Sequence, residues 1–302
     1  MSDPPGDALD RRAVRRAFAR AAATYDEAAV LQREVGARMA ERLAVVRLAP
    51  RVILDAGCGT GESLAELSTR YPDALAIGLD VALPMLVRAR ARQAARTTML
   101  ARLAARLRGT GAPPHALVAG DIAALPIGHA CVDLAWSNLA LQWLDDLPGA
   151  VAELHRVLAV NGLLMFTTLG PDTLKELRTA FRAADARPHV SRFVDMHDIG
   201  DLLVDKGFAD PVMHMEYLTL TYQDAGAMMR DLKALGATNA LAARPRGMMG
   251  RGRLQAVLGA LERERRDGRI PATFEVIYGH AWKAQPTRTA DGRAIVRVER
   301  RR

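Results

Sequence analysis

The chain has 302 residues, 50% of them hydrophobic and 25% charged, with a formal net charge of +8 from 42 Lys plus Arg against 34 Asp plus Glu. These proportions exclude a disordered or fibrous chain and leave enough apolar sequence for a full core, in one large domain or two small ones. No apolar run reaches the ~18 to 20 residues of a membrane span, and the polar start MSDPPGDALD lacks the basic and apolar regions of a signal peptide, which places the chain in the cytoplasm.

Residues 1–10 read as a flexible start, and 11–48 as mainly helical with a break around Ala23 to Asp26. Short apolar runs then recur at RVILD (51–55), ALAIGLD (74–80), HALVAGD (115–121), CVDLAWS (131–137) and GLLMFTT (162–168). Between them SLAELSTRY, PMLVRARARQAARTTMLARLAARL and LPGAVAELHRVL space their apolar residues near the helical period. Strands that alternate with helices, each bounded by Gly, Asp or Pro, predict a doubly wound α/β fold with a mostly parallel sheet. Beyond it come helix-like TLKELRTAFRAAD and DIGDLLVDKG, the alternating run VMHMEYLTLTY, a methionine-rich helical stretch and FEVIYGHAWK. The last two strand-like runs bring the total to seven and suit an antiparallel edge. The expected organisation is a single domain over 11–285, a GTGAPP turn at 109–114 and a flexible basic tail at 286–302.

Cys58 and Cys131 have neither disulfide nor zinc spacing and read as reduced thiols. The positive charge calls for an acidic partner. Nucleic acid fits poorly, because aromatic residues are 5% of the chain and do not alternate with the arginines as a stacking platform requires.

The stretch ILDAGCGTGESL (53–64) sets Asp55, Gly57, Gly59 and Gly61 directly behind the first strand. Residues without side chains let a ligand approach the backbone at the carboxyl end of a strand, where open α/β sheets bind their ligands. A dinucleotide requires G-x-G-x-x-G, but here the third glycine comes one place early and Glu62 follows it. A nucleoside triphosphate loop requires Lys and Ser/Thr after the glycines, and these are missing. Asp-x-Gly-x-Gly-x-Gly resembles instead the first motif of class I S-adenosylmethionine-dependent methyltransferases. That resemblance implies glycines passing beneath the methionine part of the cofactor and Asp55 beside its ammonium group. Asp80 closes the second strand 19 residues beyond Gly61, where a carboxylate can accept ribose hydroxyls. The resemblance further implies Asp121 and the amide of Ile122 at the adenine, with Ile122 and Met85 packed on the base, and it adds Asn138 to the cofactor-binding set. Each aspartate alone also reads as a helix N-cap.

Longer stretches are similar to the carboxyl O-methyltransferases that esterify malonyl-acyl carrier protein in biotin synthesis: RRAFARAAATYDEAAVLQREVGARMAERL, WSNLALQWLDDLPGAVAELHRVL, FTTLGPDTLKELRTAF, RPHVSRFVD and DLKALGATN, from about residue 11 to 284. Two departures stand out: residues 96–114 are lengthened, and Asn239 replaces an expected His. The resemblance implies residues 171–270 as substrate-side cap elements, an acidic acyl carrier protein as partner, and transfer of a methyl group to the malonyl carboxylate. Such a carboxylate is already ionised at neutral pH, so neither a general base nor a metal is expected. Arg187 and Arg192, flanking His189, are the arginines placed to orient it, with a surface pair at a helix end as the alternative. Tyr25 is placed to close over the methyl donor, with packing of the N-terminal helices as its alternative. Trp136 and Trp143 read as core or pocket-wall residues, and Met228, Met229, Met248 and Met249 as packing or an acyl channel. A rival resemblance joins GPDTLKELR, GFADPVMHMEYLTLTY and IPATFEVIYGHAWK to the mitochondrial complex I assembly factors that hydroxylate a protein arginine. Asn138, Gln142, Arg187 and Arg192 favour the esterifying family.

Overall fold

The computed structural model describes residues 8–96, 115–184, 187–244, 247 and 249–285. Nearly all of the lengthened 96–114 segment with its GTGAPP turn, Met248, and the 286–302 tail lie outside the described residues, as do residues 1–7.

The N-terminal helices are α1 (Arg11–Ala21), α2 (Tyr25–Ala28) and α3 (Val30–Ala44). In α1 the buried residues Ala13, Val14, Ala17 and Ala21 recur at helical spacing, and Asp10 caps the start by accepting from the Ala13 amide. The expected break falls at residues 22–24. The alternating part then runs β1 (Val52–Ala56), α4 (Glu62–Arg70), β2 (Leu75–Asp80), α5 (Leu83–Arg96), β3 (His115–Ala119), β4 (Val132–Ser137), α6 (Leu147–Val157) and β5 (Leu158–Leu169). It continues with α7 (Lys175–Ala184), α8 (Met196–Asp205), β6 (Phe208–Tyr222), α9 (Ala225–Ala234), α10 (Arg251–Arg263) and β7 (Ile270–Lys283).

One seven-stranded sheet in the order β3-β2-β1-β4-β5-β7-β6 results. The pairs β2–β3, β1–β2, β1–β4 and β4–β5 are parallel, whereas β7 is antiparallel to both of its neighbours. The two late strands therefore do form the antiparallel part, but β7 inserts between β5 and β6 and leaves β6 as the edge. Adjacent strand residues serve opposite faces, as a period of two demands. Ile53, Leu134, Leu163 and Met165 join the core beneath α3, α7, α9 and α10, while Leu54, Ala135, Leu164 and Phe166 join the core beneath α6 and α8.

The methionine-rich region differs from the single helical stretch expected. Gly236 takes a φ of 74° just past α9, a left-handed conformation that ends a helix, and a separate helix, α10, follows a Gly-rich loop. Met228 is fully buried and Met229 and Met249 pack against the same core, which is the packing reading. Cys58 is buried and Cys131 exposed, both as free thiols. Among the described residues no helix is long and apolar enough to cross a membrane.

Candidate functional site

The strand order reverses between β1 and β4, and a crevice opens there beyond the carboxyl ends of the parallel strands. Two lobes meet in it. One, of about 100 Å³, is walled by Val14, Phe18, Tyr25, Asp80, Met85, Asp121, Ile122 and Trp143 among others. The second, of about 270 Å³, is walled by Tyr25, Gln32, Arg33, Asp55, Cys58, Glu62 and Ser63 among others. Tyr25, Gly57, Gly59 and Asn138 belong to both.

The glycine turn is shaped for contact. Gly57 has a φ of 85°, and a Cβ there would lie 2.4 Å from the Ala140 Cβ, so only glycine fits. Gly61, with a φ of 79°, stands in neither lobe; a Cβ on it would come within 2.9 Å of the Ala89 Cβ, so its task is the close packing of α4 on α5. The amides of Gly57, Cys58, Gly59 and Gly61 are already engaged. Those of Gly57 and Cys58 donate to the Leu79 carbonyl at 2.8 and 2.9 Å, and the Gly61 amide donates to the Cys58 carbonyl at 2.8 Å. The Gly59 amide donates to Asp80 Oδ2 at 3.0 Å. A phosphate cradle needs free amides. This turn commits the amides of its three glycines and Cys58 to the protein and surrounds the space with carboxylates, which suits a cationic ligand.

Asp55 sits at the end of β1 with 1% of its surface exposed, and its Oδ2 has no hydrogen-bond partner. Burial, helped by the Asp80 charge, pushes its carboxyl up to about 8. Burial also raises Asp80, against the pull of the Ala82, Gly59 and Val81 amides. Asp80 Oδ1 accepts from the Ala82 amide at 2.8 Å. Asp121 Oδ1 accepts from the Ala123 amide at 2.9 Å, and its Oδ2 meets Arg11 at 3.0 Å. One oxygen of each acid is thus bound to the amide two residues on, but neither is the helix N-cap that the sequence also allowed, since α5 starts only at Leu83 and no helix lies between Asp121 and β4; both acids face the lobe. Met85 and Ile122 are buried in its wall.

The N-terminal helices close this space from outside. Phe18 lies edge-on to Tyr25 and to Trp143, with ring centroids 6.5 and 5.2 Å apart. Thr60 donates to Asp26 at 2.6 Å and Arg92 pairs with Asp26 at 2.8 Å, tying α2 to the glycine turn and to α5. Enclosure, together with the charges of Asp80, Asp26 and Glu62, raises the Tyr25 phenol well above its ordinary range. Asn138 is fixed on both sides: its Nδ2 donates to the Gln32 carbonyl at 2.9 Å and its Oδ1 accepts from Thr167 at 2.7 Å. Gln142 donates to the Leu139 carbonyl at 2.7 Å.

The structure therefore brings Tyr25, Asp55, Gly57, Gly59, Asp80, Met85, Asp121, Ile122 and Asn138 to one crevice. Arg187 and Arg192 are not in the wall of either lobe. Both are exposed on a loop that Val190 and Phe193 anchor to the core and that Asn239 holds by donating to the Pro188 carbonyl at 3.2 Å. Arg11 and Arg33 are the arginines at the lobes. Sequence reading missed the α3 face made by Gln32, Arg33, Gly36 and Ala37, which walls the second lobe. Gly36 was its available signal, a glycine inside a helix. A Cβ there would lie 3.0 Å from Asn138 Nδ2.

Residues 54–166 match the family described as Methyltransferase domain. The chain is 50% identical over 290 residues to the malonyl-[acyl-carrier protein] O-methyltransferase of Gallionella capsiferriformans (strain ES-2), covering 96% of this chain and 97% of that protein. It is 56% identical over 278 residues to the protein of the same name from Methylovorus sp. (strain MP688), covering 92% of this chain and 90% of the other. In fold it is similar to the YcgJ protein from Bacillus subtilis, with a TM-score of 0.54 at 18% identity, over 83% of this chain and 98% of that one.

Proposed function

This chain belongs to the malonyl-[acyl-carrier protein] O-methyltransferase family, and we propose that it transfers a methyl group from S-adenosylmethionine to the free carboxylate of malonyl-acyl carrier protein. The product methyl ester primes pimeloyl synthesis in the biotin pathway. The observation that carries the reading is the crevice behind β1: engaged turn amides, a buried Asp55 with an unpartnered oxygen, and Asp80 and Asp121 at the next two strand ends. These residues fit an amino-acid sulfonium, since a cation relieves the repulsion between Asp55 and Asp80 that an anion would worsen.

S-adenosylmethionine supplies an electrophilic methyl on a positively charged sulfur. Asp55 receives the ammonium end in the second lobe, Asp80 the ribose, and Asp121 the adenine edge, with Met85 and Ile122 on its faces. Tyr25, shared by both lobes, closes over the donor together with Phe18. The acceptor oxygen is already ionised, so the protein needs no base. Its task is to align that oxygen in line with the methyl and to strip water from it. Arg187 and Arg192 are the proposed partners of the acceptor carboxylate, whose delocalised charge suits a planar guanidinium.

Methyl-labelled S-adenosylmethionine, incubated with the purified chain and malonyl-acyl carrier protein, is expected to leave base-labile label on the carrier. Cofactor binding with no label on the carrier would overturn the assignment of the acceptor.

A further inference from the structure

Helix α1 is divided lengthwise by charge. Its inner residues Val14 and Phe18 face the first lobe, while Arg11, Arg12, Arg15, Arg16 and Arg20 are exposed. At about 100° per residue the five arginines occupy one half of the helix surface and the buried alanines and Val14 the other. The helix contains no acid. Arg11 is held by Asp121 at the rim of the lobe. Arg12, Arg15, Arg16 and Arg20 make no ion pair with any described residue. Several arginines elsewhere have carboxylates: Arg38 has Glu34 and Glu216, Arg92 has Asp26, Arg156 has Glu153, and Arg244 has Asp10; what distinguishes α1 is four without one on a single helix face.

This arrangement opposes the helix that carries it. Arg12 and Arg16, and Arg16 and Arg20, are neighbours one turn apart and repel. Arg11 and Arg12 stand in the first turn, where the macrodipole favours anions. An acidic surface laid along this face would relieve both.

We propose that the outer face of α1, formed by Arg12, Arg15, Arg16 and Arg20, is the docking surface for the acyl carrier protein, and that an acidic helix of the carrier lies along it. This rests on the esterification reading above and adds the place of contact. The first lobe reaches the protein surface beside exposed Arg11, so a carrier seated on α1 delivers its thioester arm at the rim where the methyl donor is closed in. The same helix receives the partner and walls the site, so docking bears directly on closure. Other acidic partners fit less well. A membrane surface would need the apolar side of α1, but Ala13, Val14, Ala17 and Ala21 are buried against the protein. A single-stranded nucleic acid would need aromatic platforms, and Phe18, the sole aromatic of α1, points into the lobe.

The test compares wild type with Arg12→Glu/Arg16→Glu and with a control of equal charge change, Arg263→Glu/Arg266→Glu, at the end of α10 and in the turn that follows it. Glutamate at position 12 suits the first turn, and both substituted positions are exposed, so the first variant is expected to fold. Binding of malonyl-acyl carrier protein is followed by fluorescence anisotropy at low and physiological salt, and turnover is followed with the carrier substrate and with malonyl-pantetheine, which lacks the carrier. The expected result is a 10- to 100-fold weaker association and a matching rise in KM for the carrier substrate in the α1 variant alone. Turnover of malonyl-pantetheine and affinity for S-adenosylhomocysteine should stay within about twofold of wild type. Unchanged carrier affinity overturns the proposal, and so does an equal loss with malonyl-pantetheine, or tighter wild-type binding to anionic vesicles or RNA than to the carrier. Charge-dependent carrier binding without methyl transfer sustains the docking surface and refutes the esterification reading instead.

Discussion

Asp55→Asn tests whether the crevice is an acid-lined cation site whose design costs stability. In the folded chain the Asp55 carboxyl titrates at about 8 because it is buried and faces Asp80, whereas in the unfolded chain it titrates near 3.9. A folded-state value raised above the unfolded one means that the fold loses stability as pH rises from about 4, and the loss levels off above about 8. At pH 7 the accumulated cost is about 4 kcal/mol, from about 1.4 kcal/mol per pH unit over roughly three units. Asparagine removes the titration while keeping the shape. Urea unfolding of both proteins without ligand, from pH 5 to 8, is therefore expected to show wild type losing about 3 to 4 kcal/mol relative to the variant. Other titrating groups are common to both and cancel. Saturating S-adenosylhomocysteine should flatten the wild-type slope, because its ammonium holds Asp55 ionised, and the variant should lose cofactor affinity by about 2 kcal/mol or more, as for a hydrogen bond to a charged group. Parallel stability curves for the two proteins would refute the reasoning.

Gly57→Ala must accommodate both a φ of 85° and a 2.4 Å approach to Ala140, whereas Gly59→Ala, with a φ of 53°, meets nothing within 4 Å. Thermal unfolding is expected to show Gly57→Ala destabilised by about 2 to 4 kcal/mol and Gly59→Ala by about 1 kcal/mol; equal losses would contradict the described turn. Tyr25 stays neutral at all working pH values, since its phenol is raised, so the pH–rate profile of Tyr25→Phe should parallel that of wild type, with kcat reduced less than about 10-fold. Tyr25→Ala opens both lobes and should cost about 100-fold in kcat. Asp80→Asn weakens the acceptor of the Gly59 and Ala82 amides and should raise the dissociation constant for S-adenosylhomocysteine by about 10-fold or more, read by calorimetry.

The parallel half of the sheet was legible because its strands are short apolar runs, and the first three runs close on acids, Asp55, Asp80 and Asp121, that line the crevice. The α3 face was not legible. Gln32 and Arg33 look like any solvated helix surface until the chain is folded, and only Gly36 hints that something approaches closely. Nor did spacing reveal the Arg11–Asp121 pair, whose partners are 110 positions apart in sequence and meet only because α1 lies across the strand ends. Arg187 and Arg192 show the limit of a motif. It names residue types on a loop, but the anchoring of that loop by Val190 and Phe193 decides where they stand, and that depends on tertiary packing. The insertion of β7 between β5 and β6 was hidden for the same reason, since alternation along a strand says which face is buried but not which neighbour it takes.

Whether the crevice behind β1 accepts the methyl donor's skeleton is the most direct question. Calorimetric titration of the purified chain with S-adenosylhomocysteine should give one saturable site whose affinity rises with pH toward 8 and collapses in Asp55→Asn. Absence of binding heat, or binding indifferent to both pH and Asp55, would contradict it.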